Sequence, residues 1–561
     1  DFLNKKFGGR GRIVSPSTQT EKSFVNGKTP DTGKSDLVNF NIKPAELIAY
    51  LDQYVVRQAQ AKSILATKIC THFNRIRHQE TREEKDTRIT GNIKSNILML
   101  GPTGIGKTYL IKLIARKIGV PFVKADATKF SETGYVGGDV EDLIRDLVKE
   151  ADDNIELAEC GIVYLDEIDK IAASPDAIGA QVSRTGVQRA LLKPMEETDV
   201  DLKVPHDPVS MMQELERFQR TGKRVSRRVN TANILFILSG AFTGLTDLVR
   251  QRLTRQTIGF HSQLNQTRDD LFLLKQTRAE DLVKFGFESE FIGRVPVRCI
   301  LDELSENDLY TILKMPNNPV ILSKRLDFAA YGIDIVFEDD ALKYLAHQAH
   351  NENTGARGLV SAVEDALLPY EEKLPSSTVT RLVVNQAVII DPSDTLKDLL
   401  SDHPVNDWDA VYQQAVENDI QYLTDYIQNN ADTLSAVHGL DLTPVRCDMI
   451  ARYFRTHVLE IDDALKKIRH AYDGVKEIER EIAQNMNLNI FFEEDAVDFL
   501  MRQFIEHRVS SEDILSNLYN AFYDGLNLIK EKTGRNRFFL TRANLLDSEA
   551  YLNDLIRKEI K

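Results

Sequence analysis

The order of apolar and polar positions predicts alternating strands and helices in the first half of the chain. Four short apolar runs, at 95–100, 121–124, 161–166 and 233–239, predict buried strands. Apolar residues recur at helical spacing in the segments between them; these predicted helices are 107–118, 139–152 and 185–197. Such alternation is typical of a parallel sheet with helices on both faces, so the expected fold class is α/β.

Outside this region the pattern changes twice. Residues 1–40 are rich in Gly, Ser, Thr, Lys and Asn and predict a flexible leader, while a helical pattern covers 42–79. From Ser305 onward the pattern is mostly helical. Apolar residues at spacings of three and four between Ile461 and Ile482 predict one long amphipathic helix, which would pack in a core, in a helical hairpin or in a short coiled coil.

The most specific motif stands between the first predicted strand and the first predicted helix. A strand that runs into a glycine-rich turn and then a helix directs several backbone N–H groups to one point, where the helix N-terminus adds partial positive charge. The pattern predicts a nucleoside triphosphate site, with Lys107 on the β- and γ-phosphates and the Thr108 hydroxyl on Mg²⁺. The loop residues are Gly101, Pro102, Thr103, Gly104, Ile105, Gly106, Lys107 and Thr108.

The strand predicted at 161–166 ends in two acids. Ligands gather at the carboxyl ends of parallel strands, so Asp166 and Glu167 are expected beside the phosphate loop. Asp166 would hold the Mg²⁺ shell, and Glu167 could polarise the water that attacks the γ-phosphate. The alternative interpretation is that these acids cap the next helix.

Composition limits the functions open to the chain. Its 561 residues are 42% hydrophobic and 28% charged, which is ordinary for globular proteins, and the length suits about three or four domains. The net charge of −14 argues against broad binding to a nucleic-acid backbone. Four widely separated cysteines without a C-x-x-C pair predict a reducing compartment such as the cytoplasm, and no zinc site is visible.

These residues resemble those of the ClpX-type AAA+ unfoldases, with HslU a more distant relative. The resemblance covers about residues 43–400, and segments 161–170 (GIVYLDEIDK) and 186–193 (GVQRALLK) are similar to the family's sequences at these motifs. It implies an AAA+ module with a parallel sheet, an α-rich small lid domain and a cofactor pair of ATP and Mg²⁺. The predicted domains are a leader (1–40), a large ATPase domain (41–304), a lid (305–395), a helical extension (396–489) and a degenerate lid-like domain (490–561).

The resemblance also assigns residues around the nucleotide. Segment 51–58 (LDQYVVRQ) resembles the part that contacts adenine, which implies base-binding roles for Tyr54, Val55 and Val56. Where the family usually has glycine, this chain has Arg57.

Two arginines complete the implied catalytic set. Residues 291–296 (FIGRVP) resemble the box that carries an arginine finger, so Arg294 would act on the nucleotide of a neighbouring subunit. Residues 355–359 (GARGL) resemble the sensor-2 motif, so Arg357 would reach the phosphates of its own subunit. Ser239, at the end of a predicted strand, is a candidate sensor-1 residue.

Two further motifs concern polypeptides rather than nucleotides. Residues 133–140 (TGYVGGDV) resemble the first pore loop of these rings, in which Tyr135 and Val136 would grip substrate by contact that ignores its sequence. The tripeptide Ile258, Gly259 and Phe260 matches the loop that docks the family onto a ClpP peptidase. On residue chemistry alone, the first could be a tight turn and the second a chance match.

Two features depart from the family. Five basic residues within 220–228 could attract acidic substrate tags or form only a solvated charge run. Residues 490–500 echo residues 335–345, and the same register puts Glu512 opposite Arg357. A duplicated lid of this kind would have lost its phosphate-sensing cation and would be structural or partner-binding.

The sequence therefore predicts an ATP-driven protein unfoldase that works as a homo-oligomeric ring, a hexamer by resemblance, on protein substrates and with a ClpP-type peptidase. Two alternatives stay open. One is a complex-remodelling chaperone that needs the pore but no peptidase. The other is a nucleic-acid motor on the same core, against which the acidic balance and Tyr135 count.

Overall fold

The computed structural model describes residues 41–80, 94–130, 138–173, 181–202, 228–256, 270–401, 407–485 and 487–559. Its first part contains a five-stranded parallel sheet and an antiparallel strand pair. The sheet strands are β1 (Ile97–Leu100), β2 (Phe122–Asp126), β3 (Ile162–Asp166), β6 (Leu235–Gly240) and β7 (Val297–Ile300), and the pair is β4 (Asp199–Asp201) with β5 (Arg228–Asn230). The sheet order is β2-β3-β6-β1-β7.

Helices cover both faces of this sheet. They are α1 (Pro44–Asp52), α2 (Ala59–Glu80), α3 (Lys107–Ile118), α4 (Asp142–Glu150), α5 (Ile155–Ala158), α6 (Gln181–Met195), α7 (Leu245–Gln256), α8 (Asp270–Lys275), α9 (Ala279–Phe285) and α10 (Ser289–Gly293). Successive strand residues point to opposite faces, so Ile97 and Met99 join the core beneath α1–α3 while Leu98 and Leu100 join the core on the other face. The predicted α/β class is confirmed.

The next part is built on a small parallel strand pair. Its elements are α11 (Glu306–Lys314), α12 (Pro319–Ala329), β8 (Asp334–Phe337), α13 (Asp339–Asn351), α14 (Ala356–Lys373), β9 (Arg381–Val384), α15 (Gln386–Ile390) and α16 (Pro392–Leu399). We call β8 through α16 the first unit.

The last part begins with four helices and ends in a second strand pair. Its elements are α17 (Trp408–Asn429), α18 (Ala431–His438), α19 (Pro444–His457), α20 (Ile461–Asn485), β10 (Asn489–Phe492), α21 (Glu494–Glu506), α22 (Ser511–Thr533), β11 (Arg537–Leu540), α23 (Arg542–Leu546) and α24 (Ser548–Glu559). We call β10 through α24 the second unit. The apolar stripe of α20 lies in a core shared with this unit, so the long predicted helix packs in a core.

The two units have the same element order. Both run strand, helix, helix, parallel strand, helix, helix, and α13 and α21 are each 13 residues long. The echo between 335–345 and 490–500 thus begins with a strand, where the pattern alone suggests two helix starts. Arg357 and Glu512 are each the second residue of the corresponding helix, α14 and α22. The predicted domain boundaries themselves remain predictions.

Candidate nucleotide-binding site

The phosphate loop connects β1 to α3 in a conformation that needs glycine. Gly104 has a φ of 77° and Gly106, the N-cap of α3, has a φ of 86°, a region that side chains rarely adopt. A Cβ on Gly104 would also lie 1.9 Å from the carbonyl oxygen of Thr354. The loop is therefore shaped both by its own turn and by a segment some 250 positions later in the chain.

Lys107 is buried at the first turn of α3 with its ammonium folded back onto the loop. Its Nζ donates to the carbonyls of Gly101 at 2.7 Å and Pro102 at 2.6 Å. Burial lowers the pKa of Lys107 to about 8, opposed by the carboxylates of Asp166 and Asp169. A buried cation that donates to carbonyls and has no ion pair among the described residues fits an anionic group such as a phosphate.

Asp166 lies at the carboxyl end of β3, where three hydroxyl-bearing side chains meet. The Ser239 hydroxyl donates to its Oδ1 at 2.6 Å, and Thr108 Oγ1 lies 3.3 Å from its Oδ2. Tyr164 and Ser239 share a further hydrogen bond of 2.6 Å. The parallel register of β3 with β6 brings these residues together, since Leu165 faces Leu238 one position before them.

Asp166 is held in its charged form. Burial by itself would raise its pKa, but hydrogen bonds from Ser239 and the Glu167 amide, with the charges of Lys124 and Lys107, leave the pKa below its ordinary value. A carboxylate beside a threonine hydroxyl is the oxygen donor set that Mg²⁺ prefers, so Asp166 and Thr108 fit this ion.

Glu167 follows on a turn of unusual backbone. Its φ of 55° and ψ of 33° are left-handed, and its amide donates to Asp166 Oδ1 at 3.1 Å. The side chain is exposed, so its carboxylate is open to water. Strain of this kind costs about 1–3 kcal/mol and gathers at functional sites.

Arg357 is brought to the same place by the first unit. The Ala356 amide donates to the Gly104 carbonyl at 2.8 Å, which joins the start of α14 to the phosphate loop. The Gly355 backbone lies against that of Gly104, and the charge of Arg357 adds a small contribution to the lowered pKa of Lys107. Within the described part of the chain, no hydrogen bond or ion pair holds the exposed Arg357 guanidinium.

Arg294 lies at the amino ends of the parallel strands, opposite the ends that carry the phosphate loop. Its carbonyl accepts from Asn96 Nδ2 at 3.0 Å, and Asn96 precedes β1, whereas the phosphate loop follows that strand. The guanidinium is half exposed and pairs with Glu196 at 2.5 Å. The structure therefore brings Lys107, Asp166 and Arg357 together and leaves Arg294 apart from them.

The predicted adenine segment joins α1 to α2. Tyr54 is buried against Tyr50, with ring centroids 5.0 Å apart, while Val55 and Val56 are half-buried. Arg57 has a φ of 61°, which explains why glycine suits this position, and it pairs with Asp308 at 2.8 Å.

Sequence reasoning missed one contributor to this region. Glu460, between α19 and α20, accepts from the Tyr54 hydroxyl at 3.4 Å and from Arg116 at 3.0 Å. The last part of the chain thus reaches the predicted adenine segment and α3 directly. No local pattern around Glu460 signals this contact, because its partners are more than 300 positions away.

Several predicted residues lie outside the described part of the chain. These are the pore-loop residues Tyr135 and Val136, the tripeptide Ile258, Gly259 and Phe260, and the basic residues before Arg228. The ends of the pore loop are described: Phe130 and Gly138 form an isolated bridge, and the Gly138 amide donates to Lys129 at 3.0 Å.

The sheet order, the phosphate loop and the acids beside it define an AAA+ ATPase, and family comparison agrees. Residues 92–298 match the AAA domain (Cdc48 subfamily) model, and residues 304–375 match the C-terminal D2-small domain of ClpB protein. The chain is an ATPase of the Clp/HSP100 group.

Comparison with single proteins narrows the family. The ClpX subunits of the ATP-dependent Clp protease from Treponema denticola and Borrelia duttonii are each 39% identical, over 64% and 61% of this chain and 84% and 76% of their own. ClpX 3 of Methylococcus capsulatus is 40% identical over 62% of this chain and 80% of its own. The chain belongs to the ClpX family of ATP-dependent Clp unfoldases.

The described residues contain neither a membrane-spanning helix nor a cluster of metal-binding side chains. No described helix is both long enough and apolar enough to cross a membrane. Likewise, no group of His, Cys, Asp and Glu in the described ranges has the arrangement of a metal site. The four cysteines, all among the described residues, are buried and form no disulfide with one another.

Proposed function

We propose that this protein is an ATP-driven unfoldase and translocase that forms a ring, a hexamer by family resemblance, and threads polypeptides through a central pore. The observation that carries the proposal is the convergence of Lys107, Thr108, Asp166, Glu167 and Arg357 on one phosphate loop. Bound ATP·Mg²⁺ supplies a phosphoryl group for transfer to water. Lys107 and Arg357 neutralise phosphate charge, Thr108 and Asp166 hold the ion, and Glu167 accepts a proton from the attacking water.

The position of Arg294 supports the ring. It lies at the amino ends of the strands, whereas its own phosphate loop follows the carboxyl end of β1, so it can act only on the nucleotide of an adjacent subunit. A guanidinium supplied in this way stabilises the charge of phosphoryl transfer and couples hydrolysis to subunit contact.

Substrate handling is proposed for the loop that contains Tyr135 and Val136. The bridge between Phe130 and Gly138 holds its two ends together just after β2, a strand next to the one that carries Asp166. Movement at the nucleotide therefore has a short path to this loop. Delivery to a ClpP-type peptidase is proposed through Ile258, Gly259 and Phe260, between α7 and α8.

The alternative is a remodelling chaperone without a peptidase. It is favoured by one observation, that about a third of the chain lies outside the match to the ClpX relatives. Such an extension could select particular complexes. The acidic net charge gives no comparable support to a nucleic-acid motor.

Subunit mixing tests the ring and the arginine roles together. Glu167→Gln and Arg294→Ala subunits should each be inactive alone, yet a mixture should regain ATP hydrolysis because some interfaces combine an intact Glu167 with an intact Arg294. The matched control mixes Glu167→Gln with Arg357→Ala, which should not recover. Recovery in both mixtures, or in neither, would contradict the assignment of Arg294 in trans and Arg357 in cis.

Loss of fluorescence from a tagged, stably folded reporter tests unfolding. Glu167→Gln should abolish ATP-dependent loss, whereas Glu150→Gln, an exposed glutamate on α4, should leave it unchanged. Adding a ClpP-type peptidase should yield degradation that Ile258→Ser with Phe260→Ser removes and Gln263→Ser does not. Unfolding that never couples to the peptidase would favour the remodelling chaperone.

A further inference from the structure

The second unit carries an exposed aromatic pair on its strand pair. Phe491 of β10 and Phe539 of β11 are register partners whose rings stack with centroids 5.7 Å apart. They are 42% and 53% exposed, although their strand neighbours Ile490 and Phe538 lie in the core on the opposite face. We call the face formed by Phe491, Phe539 and the adjacent Arg537 the outer face of the second unit.

The first unit shows what such a face does when it is covered. Val336 and Val383 occupy the same register positions on β8 and β9, and they are only 2% and 1% exposed. Helix α17 covers them, and Tyr412 and Ala415 of that helix form one apolar cluster with the two valines. Burial of an outer strand face by an amphipathic helix is thus already used once in this molecule.

A polar contact also joins that covering helix to β9. Arg381, at the start of β9, pairs with Asp409 in the first turn of α17 at 2.8 Å, and its guanidinium lies 5.2 Å from the centre of the Tyr412 ring. Arg537 holds the corresponding position at the start of β11. Its side chain is exposed, and among the described residues it has no ion pair or hydrogen bond.

The outer face of the second unit therefore repeats a docking surface without its helix. Both the apolar pair and the arginine are present, and no helix of the described ranges covers them. Helix α17 itself is already engaged, since the Tyr412 hydroxyl also donates to Asp334 at 2.5 Å.

We propose that the outer face of the second unit binds an amphipathic helix of a partner protein, with an acidic residue in its first turn opposite Arg537. The helix would lie across Phe491 and Phe539 as α17 lies across the valines. Phenylalanine is larger than valine, so the partner carries small apolar residues at the positions of Tyr412 and Ala415. The inference rests on the repeated unit and is independent of the proposed unfoldase activity.

A displayed peptide library provides the probe. The library takes the sequence of α17 and randomises the positions of Asp409, Tyr412, Ala415 and Val416. Selection uses the full chain, with counter-selection against the double variant Phe491→Ser and Phe539→Ser. Enriched peptides should be helical, carry an acid at the Asp409 position and small apolar residues at the other three. Failure to enrich any helix, or enrichment without an acid, would overturn the proposal.

Variants of the full chain then locate the binding. The double serine variant should weaken binding of a selected peptide by about thirtyfold or more, and Arg537→Glu by about tenfold, with recovery when the peptide acid is changed to lysine. Tyr519→Ser is the matched control, because Tyr519 is 44% exposed and stacked on Tyr523 of the same unit. Unchanged hydrogen exchange at the α22 amides of the second unit confirms that each variant is folded there. Equal weakening by Tyr519→Ser would refute the assignment.

Crosslinking separates a partner from the chain's own residues. A photoreactive amino acid at position 539 of the full chain should capture the selected peptide and little else. A dominant crosslink to residues 1–40 of the same chain, or to a second copy, would make that segment the occupant and overturn the partner assignment.

Discussion

Replacing Arg455 with methionine tests how the last part of the chain is joined to the first unit. Arg455 lies on α19 and its side chain is 5% exposed. Its guanidinium contacts the Asp334 carboxylate at 2.8 Å and that of Asp419 at 3.2 Å, and donates to the Ile335 carbonyl at 3.3 Å. These contacts join α19 to both β8 and α17.

The expected loss of stability depends on the two carboxylates, Asp334 and Asp419, that the substitution leaves without Arg455. Breaking a buried ion pair by removing one partner costs about 3–5 kcal/mol. Asp334 is half exposed and can regain water, which favours the lower end. Burial raises the pKa of Asp419 while Arg455 and Arg325 oppose that shift, so Asp419 is left with one cation and can take up a proton. We therefore expect a loss of about 3 kcal/mol.

Arg452→Met on the same helix is the matched control. Arg452 pairs with Asp448 at 3.0 Å but is 48% exposed, so its loss should cost about 0.5 kcal/mol. Both variants remove one arginine from α19 and differ mainly in burial.

Hydrogen exchange at the amides of β8 is the appropriate assay, because a chain of several parts need not unfold in one step. A loss of about 3 kcal/mol corresponds to about a hundredfold faster exchange through local opening. Arg455→Met should produce this in β8 but not in β1, and adding Asp419→Leu should restore part of it. Equal acceleration by Arg452→Met, or equal acceleration in β1, would refute the reasoning.

Three further predictions concern charge and backbone. Burial lowers the pKa of His72 to about 4, so the unfolded chain binds a proton at this histidine first as pH drops, and the free energy of unfolding should fall by up to about 3 kcal/mol between pH 6.5 and 4. In a series of unfolding midpoints against pH, His72→Gln should flatten this profile, whereas His457→Gln at an exposed histidine should not. Burial lowers the pKa of Lys107 to about 8 and a bound phosphate raises it again, so nucleotide binding at pH 8.5 should take up a proton. Calorimetry in buffers of different ionisation enthalpy measures this proton uptake, which Lys107→Met should abolish. Arg57→Gly should change the free energy of unfolding in urea by less than about 1 kcal/mol, because relief of the left-handed backbone offsets the exposed pair with Asp308, whereas Arg57→Val should cost more than 1 kcal/mol.

At Arg57 the backbone conformation can be predicted from sequence, but the ion-pair partner cannot. A family habit of glycine at this position signals a left-handed backbone, and the φ of 61° agrees. The pairing with Asp308 has no such signal, since it joins the predicted adenine segment to the start of α11, some 250 positions later.

The local parts of the site were open to prediction from the chain alone. The phosphate loop, α3 and the acids after β3 depend on contiguous residues. Their backbone hydrogen bonds and the spacing of their apolar side chains are determined by a few adjacent positions. Helix α20 was predictable for the same reason, because its buried stripe repeats over six turns. The strand β7 and the four-residue strands of the two units are too short for a reliable period.

Only the tertiary structure decides which of these parts meet. Arg294 and Arg357 come from motifs of similar strength but lie at opposite ends of the sheet strands, because strand order and parallel register decide at which end each loop lies. Two strand pairs of the same pattern differ in that one is covered by α17 and the other exposes Phe491 and Phe539. Pattern along the chain determines which face of an element is apolar, whereas burial depends on contacts between residues far apart in sequence, and these contacts form only in the folded chain.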